Sequence, residues 1–577
     1  MLTTLEEAVG IVDDGSTVYL GGFGYNQPFA VVHELIRQEA RELRVVRASG
    51  GVPLDLLIGA GCVREAVVSH CWNAIGPAPT YAFRRAVEDG VPRELDVEEF
   101  GLGELALRLF AGARGLPFVP AGAVEGTGQF QHRLHDDKYT PVEFDGETHH
   151  VLKPLAPDVG FVHVQRADEE GNAQLRGPRA ELQWGALACD RLVVVAETIV
   201  DTDRIRETPG ETLFGTASAD AVVECPGGAH PSGVLDCYER DVPYLQYYAS
   251  ATETRGAFEE YVQTWIHDAE SRQAYLRLLE EHGFGSGGVT GRPDEDDRHE
   301  NSSEATGRST GPSAPGADGE PSRHEQLLYL VAREFPSDGT VFTGFHWPVV
   351  AAHLARRLHA PQLRSVFEAG IITPGSERLP TSTTEVGVFD GHAEAYGNLL
   401  DTLRSTLGSA TLDGAVVDAA NVDRFGNVNS TTIGPYDEPQ VRLPGPGGAR
   451  DILARVENVT LVCGSTDARR YVDRVSYVSS PGHLDGDGTR EAAGFEPKTG
   501  PKTLLTPFGR FEFDDSGRAE LVGLTHGTTV DEVRDVTGWD VPNGTYPTLP
   551  IPDSETLQTI RGVFAEAADR GYRSVRP

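Results

Sequence analysis

A 39-residue stretch near the middle of the chain, Gly285 to Arg323, splits everything else into two halves. It is dominated by Gly, Ser, Pro, Asp, Glu, Arg and Thr, with Val289 its only branched apolar residue and no Phe, Tyr or Trp. That composition cannot bury enough surface to offset chain entropy. A flexible coil of this length spans roughly 34 Å. The helix predicted before it, Tyr261 to His282, stops at Gly283, a residue suited to closing a helix. The expected organisation is therefore residues 1–284, a linker over 285–323, and residues 324–577, within the two to four domains that 577 residues suggest.

The halves resemble each other in three matched places. Asp14-Gly15-Ser16-Thr17-Val18-Tyr19-Leu20-Gly21-Gly22-Phe23 parallels Asp338-Gly339-Thr340-Val341-Phe342-Thr343-Gly344-Phe345. Leu43-Arg44-Val45-Val46-Arg47-Ala48-Ser49-Gly50 parallels Leu363-Arg364-Ser365-Val366-Phe367-Glu368-Ala369-Gly370. The stretches Asp158–Asn172 and Asp413–Asn427 both end in Asp-x-x-Gly-Asn, and apolar strands follow at Leu192–Val195 and Val459–Val462. Short apolar runs alternating with helical stretches and Gly turns predict two duplicated, open α/β domains, each with a mainly parallel sheet. In such sheets, active groups gather on loops beyond the carboxyl ends of the strands.

Composition excludes several classes of function. Fifty Lys and Arg against 87 Asp and Glu give a net charge of −37, and only four of the basic residues are lysine. Such an excess of carboxylates repels phosphate backbones and anionic membranes, so neither nucleic acid nor membrane is expected as a partner. The lysine-poor, acid-rich character points to a cytoplasm with very high salt, where screening makes dense like charge tolerable. The six cysteines form no Cys-x-x-Cys and no zinc-finger spacing, so reduced thiols and no metal site are expected. The residues after Met1 lack a signal peptide's basic region and apolar core, and no run is apolar enough to span a membrane.

The difference between the halves is informative. Where the N-half has Ala48-Ser49-Gly50, the C-half has Glu368-Ala369-Gly370, a carboxylate after an apolar strand and before Gly370-Ile371-Ile372. A fold that needs one catalytic group can lose its duplicate. The plain alternative is a solvated strand-end glutamate in an acidic protein. The second clue is the turn Leu443-Pro444-Gly445-Pro446-Gly447-Gly448-Ala449, whose glycines permit positive φ and can aim amides at a developing oxyanion. Ordinary loop punctuation is the competing reading. The turn lacks the Walker-A order, and Gly21-Gly22-Phe23-Gly24 fails the dinucleotide spacing.

These pieces together resemble the class I coenzyme A transferases. The C-half is similar to the beta subunit of glutaconate CoA-transferase in Phe367-Glu368-Ala369-Gly370, the run Val422–Thr431, the Gly445–Ala449 turn, Arg470-Tyr471-Val472, Ser480–Gly486, Gly500-Pro501-Lys502 and Gly538. The N-half resembles the alpha subunit in Gly21-Gly22-Phe23, Glu98-Glu99-Phe100, Arg108–Phe118 and Pro226–Pro231. The likeness spans nearly everything outside the linker, and implies alpha and beta fused end to end, with further assembly into a homo-oligomer open.

The resemblance implies that Glu368 is a nucleophile attacking an acyl-CoA thioester, passing through a mixed anhydride to a glutamyl-CoA thioester with ping-pong kinetics. It implies acyl-CoA and carboxylic acid substrates, with coenzyme A arriving as substrate and no tightly bound cofactor. Gly447 and Gly448, with Asn429 as a side-chain donor, are the candidates for the oxyanion hole or CoA contacts. Ser49, Gly22 and Glu99 are candidates for the substrate cavity.

Two other readings stand beside this one. Some relatives hydrolyse cyclic β-keto-acyl-CoA compounds with an alpha-side glutamate, a role that would fall on Glu99. A phosphosugar isomerase or ligand sensor on the same general fold is the third. Cys225 is not expected to be a nucleophile, since nothing nearby in sequence would lower its pKa.

Overall fold

The computed structural model describes residues 1–73, 75, 79–215, 218–285, 319–409, 411–572 and 574–577. The expected linker falls almost wholly outside them. Its last residue, Arg323, instead opens the helix Arg323–Ala332, because the Ser322 hydroxyl accepts from Glu325 N–H and Glu325 reaches back to the Ser322 amide. That reciprocal pair is a capping box, which a reading by composition passes over.

Among the described residues, seven parallel strands make up most of the N-half sheet. Their spatial order is Asp96–Glu99, Val63–His70, Leu43–Ser49, Thr17–Leu20, Val159–Ala167, Arg191–Ile199 and Ala221–Glu224. Two short antiparallel strands, Ala173–Gln174 and Thr212–Phe214, complete it. Among the described residues of the C-half, five parallel strands run in the order Gln362–Phe367, Asp338–Thr343, Gly414–Asp418, Val459–Val462 and Pro501–Leu505. Antiparallel strands flank them at both ends. The four matched strands, with Ala221–Glu224 and Pro501–Leu505 beyond them, therefore occupy the same places in both sheets.

The duplication extends to single hydrogen bonds. Asp158 and Asp413 each accept a backbone bond from the first strand of their half, from Thr17 N–H at 2.6 Å and Thr340 N–H at 2.8 Å. In each Asp-x-x-Gly-Asn run the aspartate accepts from the Asn backbone and side-chain amides. These are Asn172 on Asp168 and Asn427 on Asp423. The motif is thus a turn-former in both halves.

The halves diverge after their second strand. Leu43–Ser49 runs into the helix Gly51–Gly59 and a further parallel strand. Gln362–Phe367 instead turns back into the antiparallel strand Ile371–Thr373. The helix predicted over Tyr261–His282 is interrupted: Gln263–His267 takes π geometry, and Arg272–Glu281 starts afresh because the Ser271 hydroxyl caps Ala274 N–H. Gly283 closes it at φ +75°, as expected.

One apolar cluster runs from Tyr19, Val46 and Leu105 in the N-half to Phe342, Val366 and Ile452 in the C-half. Backbone bonds also cross, including Cys71 N–H to Pro444 O at 2.8 Å and Leu399 N–H to Ala180 O at 2.9 Å. Among the described residues no helix is long and apolar enough to cross a membrane.

Candidate active site

Glu368 stands at the carboxyl end of the strand Gln362–Phe367, where the chain reverses. The reversal depends on Gly370. It has φ +99°, and a Cβ there would come within 2.5 Å of the Gly397 backbone. The turn Pro444–Ala449 faces Glu368, and Gly448 N–H donates to Glu368 Oε1 at 2.9 Å. A Cβ on Gly448 would lie 2.3 Å from the same oxygen, so only glycine lets the carboxylate approach its amide. The N-half holds the other side of the turn: Leu102 N–H donates to Gly447 O at 3.3 Å, while Cys71 N–H holds Pro444.

A cavity of about 180 Å³ lies between the halves, its lining including Glu368, His70, Trp72, Phe345, Val417 and Val428. This mostly apolar setting acts on the two ionisable groups in opposite senses. Burial pushes the Glu368 carboxyl up to about 7; the Gly448 amide opposes the rise and Asp451 adds to it. Burial, with the Arg47 guanidinium nearby, pulls His70 down to about 4, so its ring is uncharged at neutral pH. Next to this cavity lies a wider one of about 610 Å³, which shares Trp72, His346, Asp418 and Pro444 and adds Arg84, Arg470 and Arg576. At the junction, His346 has φ +72° in a non-glycine residue, its ring held between Asp418 (3.2 Å) and Ser574 (2.8 Å). Such backbone strain persists only where surrounding contacts over-determine it.

The other sequence candidates are distributed unevenly. Gly447 and Gly448 line the cavity. Asn429 does not: its amide donates to Thr432 O and Ser476 Oγ and accepts from Thr431 and Thr432 N–H, so it shapes a loop. Ser49 pairs in register with His70, and Gly22, at φ +94°, forms a tight turn; neither lines the cavity.

Glu99 is 1% exposed and pairs with Arg442 Nη2 at 2.6 Å, while also accepting from Thr431 and Tyr477. Neighbouring Glu98 points the opposite way, as alternation along a strand requires, and pairs with Lys138 at 2.9 Å. Cys225 is buried, and burial raises its thiol to about 11. Among the described residues no group of three or more His, Cys, Asp or Glu could hold a metal ion.

His70 is a cavity residue that sequence reasoning missed. It ends the strand Val63–His70 with no motif around it, and only the pairing of the halves reveals its position.

Two related α/β sheets thus enclose a cavity lined from both halves, with the buried carboxylate of Glu368 on it. The chain belongs to the coenzyme A transferase family, whose sequence pattern matches residues 2–224 and 325–535. One of the two subunits of the 3-oxoadipate CoA-transferase of Pseudomonas knackmussii is 36% identical over 281 residues, covering 48% of this chain and 98% of that subunit. The other subunit of the same enzyme is 32% identical over 225 residues, covering 38% of this chain and 84% of its own length. The cholesterol ring-cleaving hydrolase IpdA subunit of Rhodococcus jostii is 31% identical, covering 46% of this chain and 92% of its own length. The crystal structure of an acyl-CoA transferase from E. coli O157:H7 shares the fold, with a TM-score of 0.65 at 14% identity over 96% of both chains. This family membership stands against the phosphosugar isomerase reading.

Proposed function

We propose that the chain carries both subunits of an acyl-CoA:carboxylate CoA-transferase in one polypeptide, with Glu368 as its covalent nucleophile. The observation that carries this reading is Glu368 itself, a buried carboxylate on a cavity between the halves with one oxygen held by the Gly448 amide. A carboxylate suffices because a thioester is already activated and thiolate is a good leaving group.

Glu368 attacks the acyl carbonyl and expels CoA thiolate, leaving a mixed anhydride. The thiolate then attacks the glutamyl carbonyl and releases the free acid, leaving CoA bound to Glu368 as a thioester. A second carboxylic acid reverses these steps and departs as the new acyl-CoA. Thioester energy is conserved throughout. The wider cavity, with Arg84, Arg470 and Arg576, has the cations to meet the phosphates of coenzyme A. The net charge of −37 fits work in a cytoplasm of concentrated salt.

Incubation with acetyl-CoA or glutaryl-CoA at high salt, followed by trapping with borohydride or hydroxylamine, should modify the peptide that contains Glu368. An unmodified peptide alongside released CoA would sink this mechanism. The second reading, thioester hydrolysis dependent on Glu99, draws support from the Rhodococcus relative. It would then lead, and Glu99→Gln would abolish CoA release.

The raised carboxyl also sets a pH dependence. Glu368 attacks only when ionised, so kcat/KM for the acyl-CoA should climb about tenfold per pH unit below about 7 and level off above it. A profile flat from about pH 5 to pH 8 would show that Glu368 titrates elsewhere or does not attack.

A further inference from the structure

Two oxyanions form on the proposed route, and they form on different atoms. When CoA thiolate attacks the glutamyl carbonyl, negative charge develops on an oxygen of Glu368, and Gly448 N–H already holds one of these at 2.9 Å. When Glu368 attacks the incoming thioester, charge develops on the substrate's oxygen instead. The Gly448 amide is then engaged with the nucleophile. The first attack therefore calls for another donor facing the same cavity.

His70 has the required features. It ends the strand Val63–His70 of the opposite half and lines the cavity with Glu368. It is only 7% exposed, yet its Nδ1 is buried without a hydrogen-bond partner among the described residues. Such an orphan is costly unless something completes it. A methyl group placed on Gly447 would lie 3.7 Å from His70 Nδ1 and 3.9 Å from Glu368 Oε1, so the two groups flank one point that the glycine leaves open. Phe23 and Trp72 hold the ring edge-on at 5.9 and 6.1 Å. An uncharged ring can donate its N–H without competing for the negative charge of Glu368.

The geometry points to His70 as a catalytic residue, the hydrogen-bond donor to the substrate oxyanion in the first attack. This assignment rests on the transferase reading. A Glu368 oxygen forms a bond to the acyl carbon while the carbonyl π pair moves onto oxygen, where the ring N–H of His70 receives it. The pair then returns, the C–S bond breaks and thiolate leaves. No proton is transferred.

Rapid-quench kinetics on the full chain with acetyl-CoA and glutaryl-CoA tests this, with the Glu368 adduct as the readout. His70→Ala should slow the first turnover by about 10²–10³-fold, with KM changing less than about threefold. His70→Gln, which keeps a donor, should recover part of the loss. In protein labelled with ¹⁵N-histidine, a ketone analogue of acetyl-CoA with CH₂ in place of sulfur should move the His70 N–H resonance downfield. S-ethyl-CoA, which has no carbonyl, should not.

A first turnover in His70→Ala within about threefold of the parent overturns the assignment, since a lost donor costs far more. So does a ring resonance that the ketone leaves unmoved. Either result leaves the transferase reading intact if the adduct still forms. Failure of the unaltered chain to form the adduct overturns both.

Discussion

Glu368→Gln is expected to lower CoA transfer by at least about 10⁴-fold, the scale seen when a covalent nucleophile is removed and only binding and oxyanion donors remain. Glutamine keeps the shape and can still accept from Gly448 N–H, but it cannot form the anhydride. The same substitution should stabilise the protein above neutral pH. The folded carboxyl titrates near 7, above its ordinary value of 4.5. Between those values the unfolded chain loses its proton first, and stability falls as pH rises. The full cost, on the order of 3 kcal/mol, is present above about pH 7 and absent below about pH 4.5. Thermal unfolding of the parent and Glu368→Gln should therefore diverge at pH 8 and converge near pH 4.5. A parallel pair of curves would show that Glu368 carries no such penalty.

Arg442→Met should destabilise the protein by about 3–5 kcal/mol, because it strands Glu99 as an uncompensated buried charge. The pair is 2.6 Å apart, with exposures of 3% and 1%, and it joins the two halves. Adding Glu99→Gln should restore much of the loss, since breaking such a pair costs more than replacing it. Denaturant unfolding of both single variants and the double variant measures the coupling. A loss under about 1 kcal/mol in Arg442→Met would mean that water or another cation reaches Glu99. The site would feel the change too, because a Cβ on Gly445 would lie 3.2 Å from Glu99 Oε2, directly beneath the turn that holds Glu368.

The duplicated strands are legible in the sequence because parallel strands buried on both faces leave near-continuous apolar runs, as in Leu192–Val195 and Val459–Val462. Glu368 stands out in the sequence for a second reason: one half has a carboxylate where the other has the methyl group of Ala48. Asn429 misleads because a polar run looks available for catalysis. Its amide is spent on Thr432 and Ser476, partners that only the folded loop brings near. His70 is invisible in the sequence because its significance comes from the C-half turn that packs on it. Glu98 and Glu99 look like acids on an acidic surface, since their cations, Lys138 and Arg442, are distant along the chain.

Under the proposed mechanism, the divergence of the two sheets after their second strand predicts a stoichiometry. The strand Leu43–Ser49 continues into a helix and offers Ala48 at the position matched to Glu368, so the second copy of the fold contributes walls and no nucleophile. A titration with thioester should therefore end at a single equivalent of bound CoA per polypeptide.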